Sequence, residues 1–146
     1  RHCLHSATME QTQAILTLDT RGSGLYEITD EIARWVGESG LRRGLLTLFC
    51  QHTSASLLIT ENASPAVHRD LLRWLGSAVP EGRGYEHSAE GPDDMPAHIK
   101  AVLTGNSLTV PVGGGRVMLG TWQGVFLAEH RASPHTRKVV AHLLGD

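Results

Sequence analysis

The sequence predicts a single α+β domain with a largely antiparallel sheet packed with a few helices. Helix-like apolar spacing is confined to the first two thirds of the chain, and four short strand-like segments follow one another toward the C-terminus. At 146 residues the chain can bury roughly two thirds of its unfolded surface around one core. No repeat, linker or low-complexity tract divides it. Residues 1–8 precede Met9 and read as an upstream or disordered extension, which leaves 9–146 as the domain.

From Gln11 to Leu18, threonines alternate with apolar residues as in a strand with one buried face. Asp19 to Gly24 breaks it. Thr29 or Asp30 is placed to cap a helix whose Ile32, Trp35 and Val36 share a face, and Gly40 stops that helix. Gly44 to Cys50 is a nearly continuous apolar run of strand length, expected at the centre of the sheet. Ser64-Pro65 opens a second helix with an apolar stripe of Val67, Leu71, Trp74 and Leu75, ending at Gly76. A third helix is expected from about Pro96 to Leu103. Strands follow at Leu108–Val112, Arg116–Leu119, Val125–His130 and Lys138–Leu143, joined as sequential hairpins. Gly113-Gly114-Gly115 lacks the lysine and the strand-loop-helix setting of a phosphate loop, and so reads as a hairpin turn.

Composition excludes several functions. The formal net charge is −2 and the Lys and Arg residues are scattered, so no basic face for nucleic acid is expected. No apolar run approaches the ~20 residues that span a bilayer, and the start lacks an apolar signal region; the expectation is a cytoplasmic protein without a membrane partner. Cys3 and Cys50 make no disulfide framework, and Cys50 reads as a small buried hydrophobe.

The chemistry concentrates in two stretches. Tyr85 to Lys100 gathers His87, Glu90, Asp93, Asp94 and His98 around a Gly91-Pro92 turn, with Asp93 or Asp94 placed to cap the third helix. Bringing so many ionisable groups together costs desolvation or repulsion unless a cation or a substrate offsets it. The other reading is a solvated acidic loop. The second stretch follows the central strand, where His52, Thr53, Ser54 and Ser56 place an imidazole and three hydroxyls at a strand end. An ordinary hydroxyl-rich turn is the alternative there.

His52, His87 and His98 come from separate polar turns, and three imidazoles with an open position suit catalytic zinc. Glu90, Asp93 and Asp94 are suited to be a carboxylate ligand, an acceptor for an imidazole N–H, or a Mg²⁺ site for a phosphorylated substrate. No Gly-x-Ser-x-Gly elbow supports a serine hydrolase.

The run His52-Thr53-Ser54-Ala55-Ser56-Leu57 with Glu61-Asn62-Ala63 and Arg69-Asp70-Leu71, the block Tyr85–His87 through Glu90–Lys100, and Leu119-Gly120-Thr121-Trp122-Gln123-Gly124 closely resemble the YjbQ family. The resemblance runs from about Gln11 to the C-terminus. It implies a small α+β fold that forms homotrimers and a secondary thiamine-phosphate synthase activity, joining hydroxymethylpyrimidine diphosphate to thiazole phosphate with release of pyrophosphate. Its matched positions include His52, Glu61, Asn62, Asp70, His87, Glu90, Asp93, Asp94, His98, Trp122 and Gln123.

From these we take His52, His87 and His98 as expected metal ligands, and Glu61, Glu90, Asp93 and Asp94 as expected catalytic carboxylates. Thr53, Ser54, Ser56, Asn62, Lys100, Gln123 and Arg131 are the expected substrate contacts. Arg131 and Arg137 match basic positions suited to phosphate or to a surface role. His68 departs from the pattern, standing where an arginine precedes Arg69. A metal-dependent hydrolase of a small molecule and a non-catalytic trimeric binding protein remain the alternatives.

Overall fold

The computed structural model describes residues 8–146, so the extension expected over 1–8 lies outside the described residues except for Thr8. In chain order these residues form β1 (Glu10–Asp19), β2 (Gly24–Glu27), α1 (Thr29–Ser39), β3 (Gly44–Cys50), β4 (Ala55–Glu61), α2 (Pro65–Ala78), α3 (Asp94–Thr104), β5 (Ser107–Gly113), β6 (Arg116–Val117), β7 (Gln123–Glu129) and β8 (Thr136–Gly145). The strands make two antiparallel sheets, one of five strands in the order β1-β8-β3-β5-β6 and one of three in the order β2-β7-β4. None of the described helices is long and apolar enough to cross a membrane.

One core joins the sheets. Leu46, Leu48 and Cys50 of β3 and Val139, Ala141 and Leu143 of β8 meet Ala55 and Leu57 of β4, Val125 and Leu127 of β7, and Ile32 and Val36 of α1. Burial pushes the Cys50 thiol pKa up, so Cys50 behaves as a core hydrophobe. The strand at Gly44–Cys50 is indeed central, but its burial alternates: Leu45 and Phe49 are exposed on the outer face, beside Ile15 and Leu144. A continuous apolar run therefore did not mean two buried faces.

The sequential hairpins are corrected. Only β5 and β6 form one; β7 passes to the second sheet between β2 and β4, and β8 inserts between β1 and β3. The short β2 was not foreseen because four residues carry too little alternation to read. The helix caps also differ. Thr29 Oγ1 bonds Glu27 and the Val125 N–H, and none of the three helices has a side-chain cap hydrogen bond. Gly40 does end α1, in the left-handed conformation at φ 75°. Of the α2 stripe only Leu75 is buried; Trp74 is 64% exposed, and the helix continues through Gly76 to Ala78.

A buried polar network sits where the sheets meet. Arg137 of β8 is paired with Glu129 at the end of β7, its Nε donating to Oε1 at 2.7 Å and its Nη2 to Oε2. Thr20 donates its hydroxyl to the same Oε1 at 2.7 Å, the Arg131 N–H donates to Oε2 at 3.1 Å, and Arg137 Nη2 also reaches Ser54 Oγ at 2.9 Å. Burial alone would raise the Glu129 carboxyl pKa, yet the Arg137 and Thr20 hydrogen bonds hold it below the usual carboxylate value.

Next to it, His130 Nε2 lies 2.9 Å from Ser56 Oγ, which lies 2.6 Å from the Thr104 hydroxyl; that hydroxyl is also 2.8 Å from the Lys100 carbonyl. Burial, aided by the positive charge of Lys100, pushes the His130 pKa from 6.5 to about 4. As pH falls through this window the unfolded chain takes up the proton first. Stability contributed by neutral His130 is therefore full above pH 6.5 and lost toward pH 4. We expect the wild type to lose about 3 kcal/mol more between those limits than His130→Gln, measured by denaturant unfolding. Parallel pH profiles for the two proteins would contradict this.

Candidate metal centre

The second network feeds the site directly. Asp94 opens α3 and is buried to 2% exposure, an unusual position for a carboxylate without partners. Its partners are specific. Arg131 Nη1 lies 2.9 Å from Oδ1, while His87 Nε2 and His98 Nε2 lie 2.6 and 3.2 Å from Oδ2. The helix supplies the geometry, because residues four apart share a face and His98 therefore stands one turn above Asp94. His87 comes from the loop before α3, and the two imidazole centroids are 5.4 Å apart.

His98 shows which of its nitrogens is available. Its Nδ1 lies 2.9 Å from the Thr53 carbonyl oxygen, and a carbonyl only accepts, so Nδ1 carries the proton. In the neutral ring Nε2 is then a bare lone pair. It faces the Asp94 carboxylate, and two acceptors in contact repel unless a proton or a metal cation stands between them. The ligand atoms of His87, Asp94 and His98 all lie within 4.8 Å of one another. Tetrahedral zinc with ligands at ~2.0–2.1 Å spaces them roughly 3.4 Å apart, close to the His98–Asp94 separation and wider than that of His87 and Asp94. A shared ion would therefore require His87 Nε2 to stand farther from Asp94 Oδ2 than the 2.6 Å found here.

Arg131 positions this carboxylate. Besides Asp94 it bonds Asp93 Oδ2 through Nε at 3.0 Å and the Glu90 carbonyl through Nη2 at 2.9 Å, and the Ala132 N–H also donates to Asp93 Oδ2 at 2.8 Å. With Oδ1 held by Arg131, Oδ2 is aimed at the imidazoles. Burial raises the Asp94 pKa, but the His87 hydrogen bond and the charges of His98 and Arg131 bring it below the usual carboxylate value. At Asp93 burial is likewise outweighed, by the Ala132 N–H and by Arg131. Hydrogen bonding to Asp93 raises the Arg131 pKa further. Both carboxylates are anionic at neutral pH.

The other expected site residues are spread more widely. His52 does not join the cluster: its Nε2 accepts the Lys138 N–H at 2.7 Å, and burial with the nearby Arg137 charge lowers its pKa. It instead shares a groove of about 370 Å³ with Thr53, His98, Val102 and Asn106. Ser54 and Ser56 are buried, their hydroxyls committed to Arg137 and His130. Glu90 is exposed, its Oε2 3.8 Å from His87 Nε2. Lys100 is half-buried on α3, two residues beyond His98.

Glu61, Asn62 and Gln123 gather at the other end of the three-stranded sheet, where Glu61 pairs with Gln123. Glu61 accepts the Ser64 N–H at 2.6 Å, Asn62 donates to Glu27 at 3.2 Å, and Gln123 accepts the Gly120 N–H at 2.8 Å. Asp70 pairs with Arg73 on the exposed side of α2, and Trp122 is 64% exposed. His68, the departure from the motif, bonds the Glu61 carbonyl at 2.6 Å and packs edge-on against Phe126.

Sequence reasoning missed Glu129 and His130 as supports. Their signal was a charge and an imidazole closing a strand otherwise made of buried apolar residues. We expect Arg131→Ala to weaken zinc binding about 10–100-fold, as loss of an outer partner of a metal ligand does. Competition with a chromogenic chelator measures it; unchanged affinity would show that Asp94 needs no such support.

The comparisons with known proteins agree with this architecture. Residues 14–146 match the family described as "UPF0047 protein YjbQ-like". A UPF0047 protein of Synechocystis sp. is 51% identical over 142 residues, covering 97% of each chain. The UPF0047 protein YjbQ of Escherichia coli O157:H7 is 44% identical over 135 residues, covering 92% of this chain and 98% of its own. Among solved structures, an uncharacterized conserved protein of the yjbq/upf0047 family from Clostridium acetobutylicum superposes with a TM-score of 0.83 at 37% identity, covering 89% of this chain and 98% of that one. A YbjQ-like protein of unknown function from Sulfolobus solfataricus P2 shares the fold, with a TM-score of 0.88 at 24% identity over 95% of this chain and 100% of that one. On the match of nearly its whole length, this chain belongs to the YjbQ-like UPF0047 family.

Proposed function

We propose that His87, Asp94 and His98 hold a divalent cation, zinc being the best match, and that the protein is a metal-dependent enzyme acting on a small polar molecule. The supporting observation is the convergence of two imidazole Nε2 atoms on one buried carboxylate oxygen, with the His98 tautomer set by the Thr53 carbonyl. When bound, the cation supplies Lewis acidity for attack by water on a substrate. The chain's own residues orient and neutralise. Asp94 offsets part of the cation's charge, Arg131 holds Asp94 in place, and exposed Glu90 is free to swing toward His87 as a fourth ligand or a proton acceptor. The groove bounded by His52, Thr53 and His98 adjoins the centre and has the volume for a small substrate.

Thiamine-phosphate synthesis, the activity implied by the motif resemblance, is the second reading. It asks more of the site, because two phosphorylated substrates require cationic partners. Arg131 and Arg137 are already committed to Asp93, Asp94 and Glu129, which leaves Lys100, exposed Lys138 beside His52, and the metal, zinc or Mg²⁺, to meet the phosphates. Family membership supplies a lineage and a fold, and no activity comes with it. The homotrimer is also part of this proposal: Leu71 and Trp74 on α2, and Ile15, Leu45 and Phe49 on the outer face of the larger sheet, are exposed apolar side chains that association would cover.

Metal analysis of tag-free protein tests the first claim. About one zinc per chain is expected, lost in His87→Ala and His98→Ala and retained in His52→Ala. Full occupancy in His87→Ala would overturn the assignment. Turnover of the two thiamine precursors before and after metal removal separates the readings. Pyrophosphate release that needs both precursors and the metal supports synthesis, while metal-dependent loss of one precursor alone supports hydrolysis.

A further inference from the structure

A second cavity lies away from the histidine cluster, beside the end of the three-stranded sheet where Gln123 pairs with Glu61; Glu129, at the far end of the same strand, pairs with Ala55. A seven-residue strand separates these ends by roughly 20 Å. The cavity holds about 390 Å³ and is lined by Ile32, Ala33, Val117, Leu119 and Val125, with Arg116 at its rim. This volume falls at the small-ligand end of the usual range and would hold about 13 waters at liquid density.

Its walls are built rather than loosely packed. Ile32 and Val125 belong to the core at 1% and 0% exposure, so the apolar surface open to an occupant is that of Ala33, Val117 and Leu119. The β5–β6 turn that roofs it is anchored by the Gly115 N–H on the Arg42 carbonyl at 2.9 Å and by the Met118 N–H on the Pro111 carbonyl at 2.9 Å. The Gln123 side chain, on another wall, is held by the Gly120 N–H. Displacing water from such an apolar enclosure favours an apolar occupant.

Charge selects the occupant further. Neither Arg116 nor Arg42 lies within ion-pair distance of a carboxylate among the described residues, and the Arg42 guanidinium reaches the turn at Gly115. Thr29, also on the wall, bonds the Glu27 carboxylate at 2.7 Å, which Asn62 holds as well. Glu27 is thus already partnered, and Arg116 is left as the lining cation without a carboxylate partner among the described residues. We infer that this cavity binds a small amphipathic anion, with its apolar or aromatic body against Ala33, Val117 and Leu119 and its acidic group at Arg116.

Titration of the full chain with 8-anilino-1-naphthalenesulfonate, which combines aromatic rings with one sulfonate, tests this by fluorescence. One saturable site per chain is expected. Ala33→Trp, at an exposed helix position, fills the cavity and abolishes binding; Arg116→Glu weakens it about tenfold. Phe49→Ser, on the exposed outer face of the larger sheet, leaves binding unchanged. Undiminished binding in an Ala33→Trp protein with an unaltered melting temperature overturns the inference, as does loss of binding in Phe49→Ser. Where Ala33→Trp fails to fold, Arg116→Glu decides: an unchanged Kd overturns the inference and the tenfold loss upholds it.

Discussion

The structure depends most on one buried ion pair. Glu129 and Arg137 are almost wholly removed from water, and the penalty for burying two such charges amounts to several kcal/mol per ion before their attraction is counted. It is offset only by complete hydrogen bonding. Glu129 receives Arg137, the Thr20 hydroxyl and the Arg131 N–H, and Arg137 also donates to Ser54. Among the described residues no buried side-chain nitrogen or oxygen lacks a partner. A hydrophobic pair of similar volume would serve stability equally well. What the ion pair adds is direction: it fixes where β7 ends relative to β8, and it sets the path of the chain at Arg131.

That direction carries the site. Arg131 follows β7 by two residues, with its backbone held by Glu129 and its guanidinium crossing to Asp93 and Asp94. Asp94 then presents one oxygen to His87 and His98. Polar contacts therefore link the junction of the two sheets to the surface: Arg137 to Glu129, Glu129 to the Arg131 backbone N–H, the Arg131 guanidinium to Asp94, and Asp94 to the imidazoles. Each contact offsets part of the cost of burying the groups it joins. His98 receives a second constraint from the Thr53 carbonyl, which places the segment after β3 against α3. Asp94 and His98 are thus held by groups from two sheets and a helix, while Glu90 and His87 lie on the more exposed loop before α3.

Much of this was legible in the sequence. The α+β class, the central position of Gly44–Cys50, the stop at Gly40 and the concentration of His87, Asp94 and His98 within Tyr85–Lys100 all followed from spacing and residue chemistry. Asp94 and His98 are four apart on one helix, so their meeting is a local fact that spacing can express. His52 shows the limit. It sits in a suitable turn, but whether it faces the cluster or the Lys138 N–H depends on how β8 inserts between β1 and β3, a non-local pairing. Ser54 and Ser56 illustrate the same point: a hydroxyl at a strand end serves a cavity or a buried arginine with equal chemical ease. The sheet order was likewise beyond local reading, since β7 and β8 each leave their sequence neighbours for distant partners.

Zinc X-ray absorption on the metal-loaded protein tests the central claim most directly, because it counts the imidazoles around the ion. The account predicts two imidazoles and at least one carboxylate or water oxygen at ~2.0–2.2 Å, with no sulfur. Three imidazoles would place His52 or another histidine in the centre. An ion held without imidazole would show that the convergence of His87, Asp94 and His98 serves the fold alone.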